Sequence, residues 1–547
     1  MAQMLPPDHE RAGVSSSADR VISMPSFAGS DMTQDRAPSL QHMDWIGLWL
    51  IAICGFLGAA ALLVVPKFFF PAEDAAILFQ YSRNLADHGL ISYNAAGPRA
   101  EGATDFAWMV LLSLGMRLGI DPFWLIALIN CACLALLAIL LLKIAGKPPR
   151  PLALLFIMGA FTLMTQIFAA ASGFSVLPFE CLLTLLAWSY LKENDVGTAL
   201  VALLLCLFRP DGFVFALPLL LAAFVVRPRR MRRLLVYALL FVLPGLLYFL
   251  WRWHYFGEFL PLPFLVKSNA ERVAHVLVLS SLHGGVVLTL FVAILLTFAL
   301  RSCLHQSCNF TLILCLIVLP DLFYFSMRLD QNVGHRFFGY LPVAAAVLLT
   351  ANWQRVETRG GFILRIGIAA WLMLLCHGWL GALSRYRIEQ FRNRVAIAKE
   401  LSGLSHGTMI VSEAGLLPYY SGWTAYDPWG LNTAVFAKRL FLPPDVDAIE
   451  PDLVMVHTNN LECVPSADWK TPYTQRTWDH MTRNLVTGVD RSRFELWLLP
   501  YGNMSVRVAN HTATWQGDQE CWFVRRDSPL HKSIDRILQQ HAVLRYP

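Results

Sequence analysis

Between residues 45 and 382 the chain is dominated by apolar stretches, most of them near membrane-span length, joined by polar segments. The stretches fall at roughly 45–65, 122–145, 151–172, 176–192, 196–208, 211–226, 234–252, 276–300, 309–327, 338–353 and 362–382. Hydrocarbon offers no water to an unpaired backbone N–H or C=O, so repeated segments of this kind must close their hydrogen bonds as helices. The rest of the composition agrees. Hydrophobic residues make up 56% of the 547, charged residues only 15%, and the mean hydropathy is +0.49. The expected fold class is a polytopic α-helical membrane protein of about eleven spans, with a C-terminal α/β domain outside the cytoplasm.

Charge is unevenly placed. Residues 1–42 are polar, without apolar periodicity, and read as a disordered cytoplasmic tail. They contain no short apolar core with a cleavage site, so 45–65 is expected to stay as an uncleaved anchor. From about residue 384 the chain reads as ordinary soluble sequence. The expected divisions are therefore 1–42, a membrane domain over 43–383 with a long outer loop at 67–121, and a soluble domain over 384–547. The net charge of +6 comes largely from Arg227, Arg229, Arg230, Arg232 and Arg233, wedged between two spans. That is the signature of a cytoplasmic loop, not of a nucleic-acid surface. Lys143, Lys147, Arg150, Arg301, Arg355, Arg359 and Arg365 fall on the same side if residues 106–119 do not cross the bilayer. Fourteen apolar residues are short for a span, so a re-entrant or interfacial helix is expected there. The location implied is the inner membrane, with the 67–121 loop and the C-terminal domain on the outer, periplasmic side.

That loop concentrates ionisable groups beside the bilayer: Glu73, Asp74, Arg83, Asp87, His88, Glu101 and Asp105. Charges held against a membrane are costly and usually functional. A carboxylate at Glu73 or Asp74 suits a general base that takes the proton of a hydroxyl attacking a sugar's anomeric carbon. The pair also offers ligands for a divalent cation. The same residues serve equally as ordinary charges opening a helix, since Ala75, Ala76, Ile77 and Leu78 follow at once. Arg83, Arg209, Lys267 and Arg336 (with His335 beside it) are outer cations able to grip a lipid-linked phosphate, or simply to snorkel. Asp211 lies in Arg209-Pro210-Asp211-Gly212, where proline and glycine break the helix. Tyr419, Tyr420 and Trp423 lie outside any span and are open to acceptor contact or to core packing. Cys463 and Cys521 are the only cysteines beyond residue 384, and a disulfide between them suits an oxidising compartment. No phosphate-binding glycine motif for a nucleotide donor is present.

Several segments, in order, resemble the GT-C superfamily of polyprenyl-phosphate-sugar-dependent glycosyltransferases, and look nearest to the bacterial group that includes the mycobacterial terminal arabinofuranosyltransferase. They are EDAAILFQYSRNLADHGLISYN (73–94), AEGATDFAW (100–108), LGIDP (118–122), RPDG (209–212), WRWHYFGEFLPLPFLVKS (251–268), GHRFFGYLP (334–342) and SEAGLLPYYSGWTAYDPWGLN (412–432). The resemblance implies an inverting transferase that moves an arabinofuranosyl or hexosyl group from a polyprenyl phosphate to an envelope polysaccharide or glycolipid. It makes Asp74 the base, with Glu73 standing where the group usually has Asp. Arg209, Lys267, Arg336 and His335 would hold the donor phosphate. Arg83, His88, Glu101, Asp211, Tyr419, Tyr420 and Trp423 would face the acceptor. No cofactor beyond a possible divalent cation is implied. A flippase for lipid-linked sugars would show internal repeats and paired broken helices; the one break, at Pro210, speaks against it. A non-catalytic envelope-assembly protein would leave Asp74 no role beyond opening a helix.

Overall fold

The computed structural model describes residues 71–146, 166–228, 230–269, 277–300, 306–327, 333–353 and, with short gaps, 389–545. The expected spans at 45–65 and 362–382, and most of the one at 151–172, lie outside the described residues.

The outer loop opens with helix α1 (Glu73–His88), whose acidic first turn complements the helix dipole and which Gly89 closes in the left-handed conformation. Helix α2 (Phe106–Arg117) follows, and then α3 (Pro122–Ala145). The start of α3 is written in the sequence: Asp121 accepts from the Phe123 N–H at 2.8 Å and Pro122 takes the first helical position, where its missing donor costs nothing. The short helix α4 (Gln166–Ala171) leads into α5 (Val176–Leu191), α6 (Asp195–Phe208) and α7 (Phe213–Val226). Helix α8 is a 27-residue rod, Arg230–Phe256, with one π-turn at Ala238–Val242. Helices α9 (Leu262–Asn269), α10 (Leu277–Leu300), α11 (Ser307–Ser326) and α12 (Tyr340–Ala351) complete the described helices of the bundle.

Among the described residues, three helices are long and apolar enough to cross a membrane: α3, α8 and α11. Most of α8 is exposed, its outward row being Leu234, Leu235, Leu239, Leu243, Leu246, Leu247 and Leu250. Such a face, on a helix long enough to span, suits contact with lipid.

The break at Pro210 is where it was expected, and it makes a hairpin. Arg209 is extended ahead of the proline, and Pro210–Gly212 forms one 3-10 turn between α6 and α7. The far ends of the two helices meet at Arg233, which donates to Asp195 at 2.7 Å and to the carbonyls of Ala223 and Pro228. Arg227 bonds the Tyr190 carbonyl, and Lys143 lies over the Trp188 ring. The arginine cluster therefore marks one end of the bundle. Arg209, Asp211 and the outer loop mark the other.

The C-terminal residues form helix α13 (Glu389–Leu401) and a six-stranded sheet. The sheet order is β2 (Thr424–Tyr426), β1 (Thr408–Val411), β3 (Leu453–Asn459), β7 (Asp518–Arg525), β4 (Phe494–Pro500), β8 (Leu544–Arg545), while β5 (Met504–Val508) and β6 (His511–Trp515) pair with each other in a separate antiparallel sheet. The first three strands are parallel and the rest antiparallel. Helix α14 (Leu416–Ser421) follows β1. The outer loop and this sheet share one hydrophobic core: Phe79, Tyr81, Trp108 and Leu112 from the loop pack with Leu401, Leu417, Trp497 and Trp522. Cys463 and Cys521 are disulfide-bonded in a second core behind the sheet, with Cα atoms 5.6 Å apart.

Candidate active site

Packing α1 against α14 fixes the first turn of α1 at the junction of bundle and sheet. The two acids there have different surroundings. Glu73 is fully engaged. One carboxylate oxygen pairs with Arg394, and the other accepts the N–H groups of Gly415 (3.0 Å) and Leu416 (2.8 Å), the unsatisfied donors that open α14. Gly415 must be glycine, because a Cβ would collide with the Glu73 carbonyl. Arg394, only 1% exposed, also pairs with Glu520 of β7, whose side chain is fully buried. Glu520 accepts from the Trp522 indole at 3.1 Å as well. Glu73 thus clasps loop to sheet, with both carboxylate oxygens engaged, unlike its neighbour.

Asp74 points the other way. Its Oδ2 accepts from Arg336 Nη2 at 2.9 Å, its other oxygen has no hydrogen bond among the described residues, and its side chain is 30% exposed. Arg336 stacks on Phe174, with its guanidinium carbon 3.9 Å from the ring centroid. Its buried Nη1 has no hydrogen-bond partner among the described residues. A divalent cation does not fit this pair: Glu73 has no free oxygen and Asp74 faces a guanidinium.

Phe337 lies within cation–π range of both Arg336 (5.1 Å) and Arg209 (5.4 Å). The structure therefore brings these two cations to one wall. Arg209 is committed elsewhere, however, with Nε donating to Asp211 at 3.1 Å and the fork closed by a second bond. Tyr324 also donates to Asp211, so this half-buried acid is tied to Arg209 and Tyr324. Asp105, just before α2, accepts from Ser175 at 2.6 Å; burial pushes its carboxyl up, against the pull of Arg209.

The other expected site residues are dispersed. Lys267 is exposed on α9 and makes no contact with Arg209 or Arg336 among the described residues. The side chain of His335 lies outside the described residues. Arg83 bonds the Tyr419 carbonyl at 2.6 Å and lies over that ring, about 14 Å along the helix axis from Asp74. His88 is exposed at the far end of α1. Glu101 is buried against Arg252. Tyr419 and Tyr420 are half-buried, packed edge-on to each other. Trp423 is a core residue, its indole bonded to the Leu401 carbonyl at 3.2 Å, which removes it from acceptor contact.

Residues 384–498 match a family model described only as a domain of unknown function, DUF8728. No curated protein matches the sequence. Among solved structures, the chain is similar to ArnT from Cupriavidus metallidurans in the apo state (14% identity, TM-score 0.50) and bound to undecaprenyl phosphate (14%, TM-score 0.52). Each alignment covers 76% of this chain and 93% of ArnT. The chain has the GT-C fold. The arabinofuranosyltransferase AftD from Mycobacteria aligns at 13% identity over 88% of this chain and 40% of its own, with a TM-score of 0.43, a likeness too slight to bear on the fold.

Within this fold the glycine and amide side chains of the outer loop are largely structural. Gln80 and Asn84 bond the Tyr93 carbonyl, the Gly102 N–H bonds Tyr81 Oη, and a Cβ on Gly102 would collide with Asn432. Sequence reasoning missed Arg394, Glu520 and Glu413. The first two become visible only when β7 is placed beside α13. The third carried a signal, an acid inside the SEAG segment.

Proposed function

We propose that this chain is an integral-membrane inverting glycosyltransferase, which moves an arabinofuranosyl or hexosyl group from a polyprenyl phosphate to an envelope glycan or glycolipid. The observation that carries the reading is the Asp74–Arg336 pair: a half-free carboxylate and a guanidinium with one buried, unpartnered nitrogen, side by side at the loop end of the bundle. A base and an anion grip in contact are what sugar transfer from a lipid phosphate requires.

In this mechanism the donor phosphate draws the planar fork of Arg336, and Asp74 is left to accept a proton. The acceptor hydroxyl oxygen bonds to the anomeric carbon as the bond from that carbon to the phosphate oxygen breaks. Its proton passes to Asp74, the bonding electrons leave with the phosphate, and the anomeric configuration inverts. Arg209, neutralised by Asp211, forms the wall behind Phe337. Asp105 is the reserve base on the same loop. The ArnT structure with undecaprenyl phosphate supports a lipid-phosphate ligand for this fold.

We infer that the loop end and the sheet face the periplasm. The arginine cluster lies at the opposite end of the bundle, as the positive-inside rule asks, and the Cys463–Cys521 disulfide suits an oxidising compartment. The test compares envelope glycans of a deletion strain, of its complemented strain and of a strain carrying Asp74→Asn, by linkage analysis. A terminal residue lost on deletion, restored by the wild type and not by Asp74→Asn, is expected. Restoration by Asp74→Asn would overturn the assignment of the base.

A further inference from the structure

Glu413 stands apart from its neighbours. The backbone around it is held at every step: the Ser412 N–H bonds the Met455 carbonyl (3.0 Å), Ser412 Oγ accepts from the His457 N–H (2.8 Å), Tyr93 donates to the Ala414 carbonyl (2.6 Å), and the Gly415 N–H bonds Glu73 (3.0 Å). Its own carboxyl, half-buried, makes no hydrogen bond among the described residues. A long polar side chain on so rigid a base, left without a hydrogen bond and within electrostatic reach of Asp74, has the character of a ligand-binding group.

We propose that Glu413 binds the acceptor: from the sheet side it donates a hydrogen bond to a hydroxyl of the sugar whose neighbouring hydroxyl Asp74 deprotonates. The proposal rests on the transferase reading above and deepens it. It assigns the C-terminal sheet a share in recognising a vicinal diol.

The charges around Glu413 support a neutral, donating carboxyl. They are Glu73 and Asp74 from α1, Glu520 from β7 and, opposing them, Arg394 from α13. Burial and the three acids push the Glu413 carboxyl up to about 8, with Arg394 opposing them. At neutral pH the group is then a donor. Above about 8 it becomes an anion that cannot donate and that repels Asp74.

The test uses the full-length chain in membranes isolated from the deletion strain carrying each variant, with the donor and acceptor those membranes contain. Transfer is read as the linkage lost on deletion, on both sides of pH 8. The wild type should lose transfer as pH rises through about 8. Glu413→Gln, whose amide keeps a donor and cannot ionise, should retain transfer on the alkaline side. Glu413→Ala should lose about tenfold across the range, the scale of one hydrogen bond to the substrate. If Glu413→Gln follows the wild-type pH profile, or if Glu413→Ala transfers as well as the wild type, the proposal is overturned. Activity of Asp74→Asn in the same membranes would instead overturn the transferase mechanism, so the two failures are distinguishable.

Discussion

Replacing Arg394 with methionine should separate the loop from the sheet. Arg394 is 1% exposed and pairs with two carboxylates, Glu73 at 11% and Glu520 at 0% side-chain exposure. Methionine keeps the volume and removes the charge, leaving both acids without their cation. Breaking a buried pair from one side typically costs about 3–5 kcal/mol, because the remaining charge is uncompensated. The two acids should not share that cost equally. Glu73 keeps two backbone N–H donors from α14, whereas Glu520 keeps only the Trp522 indole. Most of the loss should therefore sit at Glu520, and Glu520→Gln should rescue Arg394→Met better than Glu73→Gln does. For a cooperative unit of about 150–250 residues, 3–5 kcal/mol corresponds to roughly 6–20 °C in melting temperature. Thermal unfolding of detergent-purified variants measures this. An Arg394→Met protein that melts with the wild type, or an equal rescue by the two glutamines, would refute the reasoning.

Asp74→Asn should cost roughly 10²–10⁴ in transfer rate while melting within about 1–2 kcal/mol of wild type, since only a charge at a helix N-terminus and one charge-assisted bond are lost. Transfer assays and melting curves on the same preparation check both halves. Arg336→Lys should raise the donor KM and fail to restore the wild-type value, because an ammonium lacks the planar fork and the stack on Phe174; donor titration reads it. Cys463→Ser or Cys521→Ser should lower stability by about 2–4 kcal/mol without moving the donor KM, as measured by melting with and without reductant. A reporter fused after Pro547 should be active only on the periplasmic side, and activity in the cytoplasm would reverse the inferred sidedness.

The sequence alone determined what depends on local chemistry. Apolar length fixed the helices, as in α3, α8 and α11, because lipid leaves the backbone no other way to pair. Asp121-Pro122 and Pro210-Gly212 set a helix start and a helix break within a residue or two, since capping and proline geometry act through neighbours in the chain. The pairing of acid and cation was legible as types but not as partners. Glu73 and Asp74 are adjacent, yet successive residues on a helix point about 100° apart, so one enters the clasp with Arg394 and the other faces Arg336. Which does which depends on groups roughly 260 and 320 residues away along the chain. Lys267 and Trp423 looked like site residues because cations and aromatics at membrane edges do; tertiary packing left one in solvent and buried the other. The shared core of outer loop and sheet was invisible for the same reason. No periodicity in residues 73–121 or 389–545 records that the apolar faces of the two segments are complementary to each other, and only the folded chain brings them together.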